Sequence, residues 1–219
     1  MKAFVLTIKD LQESQQAAER CIESGLRHGV NVKKHYGYTP KDNPLNILES
    51  LNIPIDGFKE KYSYIEKCVA AFLGHRSLWE KAVSSQENIL VLEHDAEFIS
   101  SLPSSVINSS TSDIISFGQP SYGKWNTPNI IGAGPLVSKP YFPGAHAYMV
   151  TPYGASQALK KANKEAGPTD TFFNISRFPS LKEFYPWPVI ANDSFTTIQR
   201  SEGCLAKHNW KDGVGYAII

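Results

Sequence analysis

The stretch NILVL at residues 88–92 constrains the fold more than any other part of the chain. After Asn88 it is wholly apolar, and it leads directly into Glu93, His94 and Asp95. A short run without polar alternation is typical of a central strand that is covered on both faces of its sheet. The sequence therefore predicts a buried strand that ends in two carboxylates.

Strand and helix patterns alternate along the chain on both sides of this run. The alternation predicts an α/β fold with a mostly parallel central sheet flanked by helices. A length of 219 residues suits one domain spanning residues 1–219. The predicted strands cover residues 3–8, 30–36, 88–92, 113–117 and 146–151, and the predicted helices cover 11–28, 44–51, 61–86, 152–164 and 169–177.

Composition excludes several classes of protein. With 22 basic and 21 acidic side chains, the chain is not a polybasic nucleic-acid binder held mainly by phosphate contacts. No apolar run approaches the ~20 residues that a transmembrane helix needs, so no membrane span is predicted. The three cysteines, Cys21, Cys68 and Cys204, form no C-x-x-C pair and are odd in number, which predicts free thiols in a reducing compartment. We therefore expect a cytoplasmic protein, either free or peripheral at the inner face of the membrane.

Residues 119–145 form the longest stretch without a clear helix or strand pattern. Together with His146 they hold four Gly and five Pro in 28 residues, which predicts a long loop. Aromatic residues such as Trp125 and Tyr141 favour a functional loop, and the alternative is an ordinary surface loop.

The carboxylates after the 88–92 run are the sharpest chemical signal. Ligands of open α/β sheets bind at the carboxyl ends of strands, where Glu93 and Asp95 are expected to lie. Two carboxylates one residue apart can face a Mg²⁺ or Mn²⁺ ion, and such ions commonly join carboxylates to phosphates. The alternative is a helix cap or a solvated turn.

Four segments taken together resemble glycosyltransferase family 25, a family that resembles lipopolysaccharide-biosynthesis sugar transferases and collagen galactosyltransferases. The segments are KCVAAFLGHRSLWEKAV at 67–83, ILVLEHDAEF at 89–98, PGAHAYMVTPYGASQAL at 143–159 and PTDTF at 168–172. The resemblance covers roughly residues 3 to 200. Two positions depart from the family pattern, because His94 replaces the middle acid and Gly74 stands where the family usually has Ser.

The resemblance implies a metal-dependent glycosyltransferase with a GT-A-like fold. It would move a hexose from a nucleotide sugar, by resemblance a UDP-sugar, to a hydroxyl of a glycan or lipid-linked saccharide, with inversion and with Mn²⁺ or Mg²⁺. Asp95 would bind the cation, helped by Glu93 and by His208 near the end of the sequence. On the side of the nucleotide-sugar donor, His75 and His94 would join these two acids. The alternative for His75 is a structural role as a hydrogen-bonded, partly buried residue beside Trp79. The spacing of the histidines does not support a zinc site.

The same resemblance assigns three residues to the acceptor side. Asp170 would be the general base that removes the proton of the acceptor hydroxyl, and it can equally be an N-cap or first-turn acid of a helix. Tyr148 and Asp193 would line the acceptor, and Asp193 can instead form a turn.

Two other functions stay open. The altered acidic motif is compatible with an inactive module that binds a glycan or a nucleotide. A sugar transferase acting on modified nucleobases in DNA is the third possibility, although the near-neutral charge offers it little electrostatic support. Dinucleotide-binding, Walker and nucleophile-elbow motifs are absent from the sequence.

Overall fold

A computed structural model describes residues 1–59, 64–104, 113–121, 123–142 and 144–192, together with the backbone of strands at 208–211 and 215–218. The strands are β1 (Lys2–Thr7), β2 (Val32–Tyr36), β3 (Ile89–Glu93), β4 (Ala96–Phe98), β5 (Ile114–Ser116), β6 (Gly132–Pro135), β7 (Ala147–Val150), β8 (Lys182–Tyr185), β9 (Val189–Ala191), β10 (His208–Lys211) and β11 (Gly215–Ile218). The α-helices are α1 (Gln12–Arg27), α2 (Pro44–Ser50), α3 (Ile65–Ser85), α4 (Pro152–Ala162) and α5 (Thr169–Phe172). Short 3-10 helices lie at Pro40–Asp42 and Asp56–Phe58.

Seven strands form the central sheet in the order β2-β1-β3-β7-β5-β8-β6. The pairs β1–β2, β1–β3 and β5–β8 are parallel, whereas β7 runs antiparallel to both of its neighbours and β6 runs antiparallel to β8. Five of the seven strands therefore point in one direction, and the predicted α/β fold with a mostly parallel sheet is confirmed. Two smaller pairs, β4–β9 and β10–β11, are antiparallel.

Strand β3 lies between two apolar cores, as its sequence predicts. Ile89 and Val91 pack into the core shared with α3 and α4, and Leu90 and Leu92 pack into the opposite core shared with α1. All four side chains are fully buried. Alternate side chains of a strand point to opposite faces, so a strand covered on both faces has no position for a polar residue until it ends.

The core on the α3 side is rich in aromatic side chains. Trp79 stacks on Phe172 with ring centroids 5.5 Å apart and meets Phe72 and Phe173 edge-on. Aromatic pairs in these geometries add about 0.5–1.5 kcal/mol each beyond their buried area. This packing holds α3 and α5 firmly against one face of the sheet.

The prediction of a loop over residues 119–145 is wrong for four residues. Gly132–Pro135 form strand β6, which pairs with β8 in register Ala133 to Phe184. Propensity gives no sign of it, because Gly and Pro are depleted in strands. The free edge of β8 supplies the hydrogen bonds instead, and Pro is tolerated on an edge strand. The helix predicted at 169–177 is also shorter, since α5 ends at Phe172.

Two further findings bear on the composition. Within the described ranges, no helix combines the length and the apolar content needed to cross a bilayer. Cys21 and Cys68 are buried and are not joined in a disulfide, as predicted, and Cys204 lies outside the described residues.

Candidate functional site

The space outside the carboxyl ends of β1 and β3, here called the crevice, lies where the chain reverses its direction of travel across the sheet. From β1 the chain passes through α1 to β2 on one side, and then returns past β1 to β3 on the other side. The two connecting helices α1 and α3 pack on opposite faces. The carboxyl ends of β1 and β3 therefore border a topological switch point, which is where open α/β sheets bind ligands.

Ser14 joins the two strand ends at this crevice. Its Oγ accepts a hydrogen bond from Ile8 N–H at 2.9 Å and lies 3.0 Å from Thr7 Oγ1. It also lies 2.8 Å from His94 Nδ1, so one hydroxyl connects β1, α1 and the turn after β3. Ser14 is fully buried, and nothing in its sequence context marks it as a site residue.

Polar side chains extend this network away from Ser14. Gln15 Nε2 donates to Ile8 O at 2.8 Å and to Thr7 Oγ1 at 3.1 Å, and Lys34 Nζ donates to Gln15 Oε1 at 2.8 Å. The ammonium of Lys34 also pairs with Glu19 at 2.6 Å. The floor of the crevice on the β1 side is therefore a connected hydrogen-bonded layer.

His94 stands where the resemblance leads one to expect a third acid. Burial is the main cause that lowers the pKa of His94, opposed by the charge of Glu93 and reinforced by that of Arg20. The imidazole is therefore neutral near pH 7, and the crevice gains no charge from it.

Glu93 ends β3 as a half-buried carboxylate. Its Oε1 lies 3.0 Å from His75 Nε2, its side chain is 35% exposed, and its N–H donates to His146 O at 3.0 Å. Burial alone would raise the pKa of Glu93, but the hydrogen bond from His75, followed by the charges that His75, His146 and His94 carry when protonated, outweighs it, so the pKa is lowered. Glu93 is a carboxylate at neutral pH.

His75 and Trp79 share one partner on strand β7. Tyr148 Oη lies 3.0 Å from His75 Nδ1 and accepts a hydrogen bond from Trp79 Nε1 at 2.7 Å. The hydrogen-bonded, buried interpretation of His75 fits this geometry. Tyr148 is fully buried, and this burial does not fit the direct acceptor contact predicted for it, because β7 is covered on both faces of the sheet.

Asp95 follows in the turn that leads to β4. Its main-chain oxygen accepts a hydrogen bond from Asn192 N–H at 2.8 Å, which ties the turn to the end of β9. Its carboxylate faces α1 closely enough to help raise the pKa of Cys21 to about 12, burial of the thiol being the larger cause. Asp193 and the side chain of His208 lie outside the described residues.

The donor atoms at the crevice suit a hard cation only in company with a ligand. In the parts of the chain that the structure describes, no three His, Cys, Asp or Glu side chains converge on one point as a metal site. Mg²⁺ and Mn²⁺ are commonly held by one or two carboxylates together with the phosphates of a substrate. The carboxylates of Asp95 and Glu93 fit that mode of binding in their chemistry.

Asp170 lies in the first turn of α5, as its alternative role as a first-turn acid predicts. Its Oδ1 accepts a hydrogen bond from Thr171 N–H at 2.9 Å. Burial lowers the pKa of the neighbouring Lys139, and the charge of Asp170 opposes that effect. Asp170 thus lies near a cationic side chain, and its role as a base stays a prediction.

His146 and Gly118 lie together, buried, at the same edge of the sheet, and neither was predicted as a site residue. His146 precedes β7, and because β7 is reversed its amino end lies at the same edge as the carboxyl ends of β3 and β5. A Cβ at Gly118 would stand 2.4 Å from His146 Nε2, so the imidazole occupies the space that a side chain at Gly118 would need.

Comparisons with known proteins give distant structural likenesses. No protein-family model and no curated protein matches the chain. The apo structure of mouse xyloside xylosyltransferase 1 is similar with a TM-score of 0.42 and 11% identity, over 82% of this chain and 83% of that one. CTP:phosphocholine cytidylyltransferase from Streptococcus pneumoniae is similar with a TM-score of 0.39 and 12% identity, over 86% of this chain and 91% of that one. Likenesses this distant do not establish a shared reaction, and the resemblance to glycosyltransferase family 25 stays a prediction.

Proposed function

We propose that the chain is a GT-A-like glycosyltransferase that moves a sugar from a nucleotide sugar, a UDP-sugar in the first instance, to a hydroxyl of a glycan or lipid-linked acceptor. One observation carries the proposal. Strand β3 is fully buried from Ile89 to Leu92, Glu93 stands at its carboxyl end and Asp95 follows in the next turn, near the polar layer around Ser14. A crevice with carboxylates at its rim and donors in its floor suits a nucleotide diphosphate bound with a divalent cation.

The donor would lie across the carboxyl ends of β1 and β3. Asp95, with Glu93, would hold a Mn²⁺ or Mg²⁺ ion, which when bound neutralises the charge that grows on a departing diphosphate. Because His94 is neutral, its imidazole adds no charge beside the cation. It would instead form a hydrogen bond to the nucleotide sugar through a ring nitrogen. Ser14, which itself contacts Thr7, holds that ring in place.

Asp170 would act on the acceptor. Its carboxylate lies close enough to Lys139 to oppose the burial that lowers the pKa of that ammonium, so a cationic side chain borders the position of the base. The carboxylate would take the proton of the acceptor hydroxyl while the acceptor oxygen bonds to the anomeric carbon. The bond from that carbon to the diphosphate breaks with its electron pair on the diphosphate, which inverts the anomeric centre.

A turnover assay tests this function. The purified chain is incubated with a panel of UDP-sugars, Mn²⁺ and mono- and disaccharide acceptors, and UDP release and product mass are measured. We expect Asp95→Asn and Asp170→Asn each to lower turnover by about 100-fold or more. Asp56→Asn, a change at an acid whose side chain is 81% exposed, is the matched control and should leave turnover unchanged. Equal turnover by Asp95→Asn and the unaltered chain would refute the cation role.

One observation favours a second candidate, an inactive binding module. A neutral His94, fixed to Ser14, replaces an acid that the resemblance would place beside the cation. Calorimetry with UDP in the presence and absence of Mn²⁺ separates the candidates when it is paired with the turnover assay. Tight UDP binding without transfer or donor hydrolysis across the panel would favour the module.

A further inference from the structure

Three side chains behind Glu93 form a continuous hydrogen-bonded chain inside the protein. It runs from Trp79 through Tyr148 and His75 to Glu93 Oε1, with successive distances of 2.7, 3.0 and 3.0 Å. His75 and Trp79 are four residues apart on α3, so they lie on one face of the helix. Trp79 and Tyr148 are fully buried and His75 is 2% exposed, so water does not compete for these contacts.

The direction of the first link is fixed by chemistry. An indole Nε1–H can only donate, so Tyr148 Oη accepts from Trp79. The phenol has one hydrogen of its own, and in the described part of the chain its other partner is His75 Nδ1. If Nδ1 also donated, the hydroxyl hydrogen of a fully buried Tyr148 would be left without an acceptor, an arrangement that buried polar groups avoid. Tyr148 therefore donates to Nδ1.

The second link follows from the first. A neutral imidazole that accepts at Nδ1 carries its hydrogen on Nε2. That hydrogen points at Glu93 Oε1, 3.0 Å away, and carboxylate oxygens only accept. All three contacts are then satisfied without a charge on His75.

Aromatic packing fixes the orientation of the two rings in this hydrogen-bonded series. The rings of His75 and Tyr148 stack with centroids 5.8 Å apart and 23° between their planes, and Phe142 and Phe173 pack against Tyr148. Neither ring can turn without disturbing these aromatic contacts.

We infer that Trp79 and Tyr148 fix His75 in its Nε2–H tautomer, and that this proton holds the carboxylate of Glu93 in one orientation at the rim of the crevice. The three residues are positioning residues, because none of them is exposed to a ligand in the crevice. The tautomer itself is independent of the reaction, whereas what the fixed carboxylate contacts rests on the proposed function.

Histidine ¹⁵N NMR of the full chain tests the tautomer directly. We expect His75 at pH 7.5 to show the shift and coupling pattern of a neutral ring protonated on Nε2. The signals are assigned by their loss in His75→Gln, or by contacts between the His75 and Tyr148 ring protons if that variant does not fold. A neutral Nδ1–H ring or a doubly protonated ring would overturn the inference.

Removing one oxygen tests the cause. In Tyr148→Phe we expect the His75 pattern to shift away from pure Nε2–H, whereas Tyr153→Phe, which alters a 62% exposed tyrosine on α4, should leave it unchanged. An unchanged His75 pattern in a folded Tyr148→Phe protein would show that the phenol does not set the tautomer.

Turnover and Mn²⁺ affinity test the consequence for Glu93. We expect His75→Leu to lower turnover or Mn²⁺ affinity by about 10- to 100-fold, the range found when partners that orient a ligand are removed. His75→Gln, whose amide can still donate to Glu93, should restore most of it, and equal loss in both variants would refute the positioning role. If the unaltered protein transfers no sugar but His75 shows the expected tautomer, the proposed function fails, whereas the inference about the His75 tautomer stands.

Discussion

Replacing Ser14 with alanine should loosen the crevice and measurably destabilise the protein. The substitution removes a hydroxyl that contacts Thr7 Oγ1, Ile8 N and His94 Nδ1 at 3.0, 2.9 and 2.8 Å. A net loss of about 1 kcal/mol per hydrogen bond, together with the cost of a part-buried N–H left unpaired, gives a destabilisation of about 2–4 kcal/mol. For a chain of this size each kcal/mol lowers Tm by about 2–4 °C, so we expect Tm to fall by roughly 4–16 °C.

Urea unfolding followed by circular dichroism, together with calorimetry, measures this change. The midpoint should fall while the slope stays constant, since the exposed surface of the folded state is unaltered. Ser50→Ala is the matched control, because that exposed hydroxyl bonds only to Ile47 O and its loss should change stability by less than about 0.5 kcal/mol. A Ser14→Ala protein as stable as the Ser50→Ala control would refute the view that Ser14 joins the two strand ends.

Two further predictions follow from the shifted pKa values of buried groups. Because the pKa of Cys21 is raised to about 12, its thiol should stay unmodified by iodoacetamide at pH 8 in the folded protein and should react in urea. Mass spectrometry of tryptic peptide 21–27 measures the modification. Modification at the same rate in both conditions would contradict this prediction. Burial first, and then Lys81, lower the pKa of His35 below 6.5, so the unfolded chain takes up a proton that the folded chain resists, and stability should fall as the pH drops below about 6.5. His35→Gln should lessen this loss in urea midpoints compared between pH 7.5 and pH 5.5, and parallel pH curves for the two proteins would count against the assignment.

The sequence predicts the centre of the fold better than its edge. The run that becomes β3 is recognisable because a strand covered on both faces admits only apolar residues. The edge strand β6 is not recognisable, since GAGP forms a strand only because β8 offers an unpaired edge. Such pairing is a tertiary effect, and local propensity carries no trace of it.

The candidate site divides in a similar way. The place of Glu93 and Asp95 at a strand end follows from their sequence neighbours. The contact of His75 with Tyr148 depends on α3 lying over β7, which brings together residues 73 positions apart. Ser14 is harder still to foresee, because a single serine in the first turn of a helix looks like any other until the fold places His94 beside it.

The reversed strand β7 has a consequence for how such a protein can diversify. Since β7 runs against β3 and β5, the segment that precedes Ala147 reaches the edge where β3 and β5 end, whereas the segment that follows Val150 leaves from the opposite edge. Insertions ahead of His146 can therefore reshape what borders the crevice without shifting the pairing of any central strand. The border of the crevice and the integrity of the sheet are thereby encoded in separable stretches of the chain.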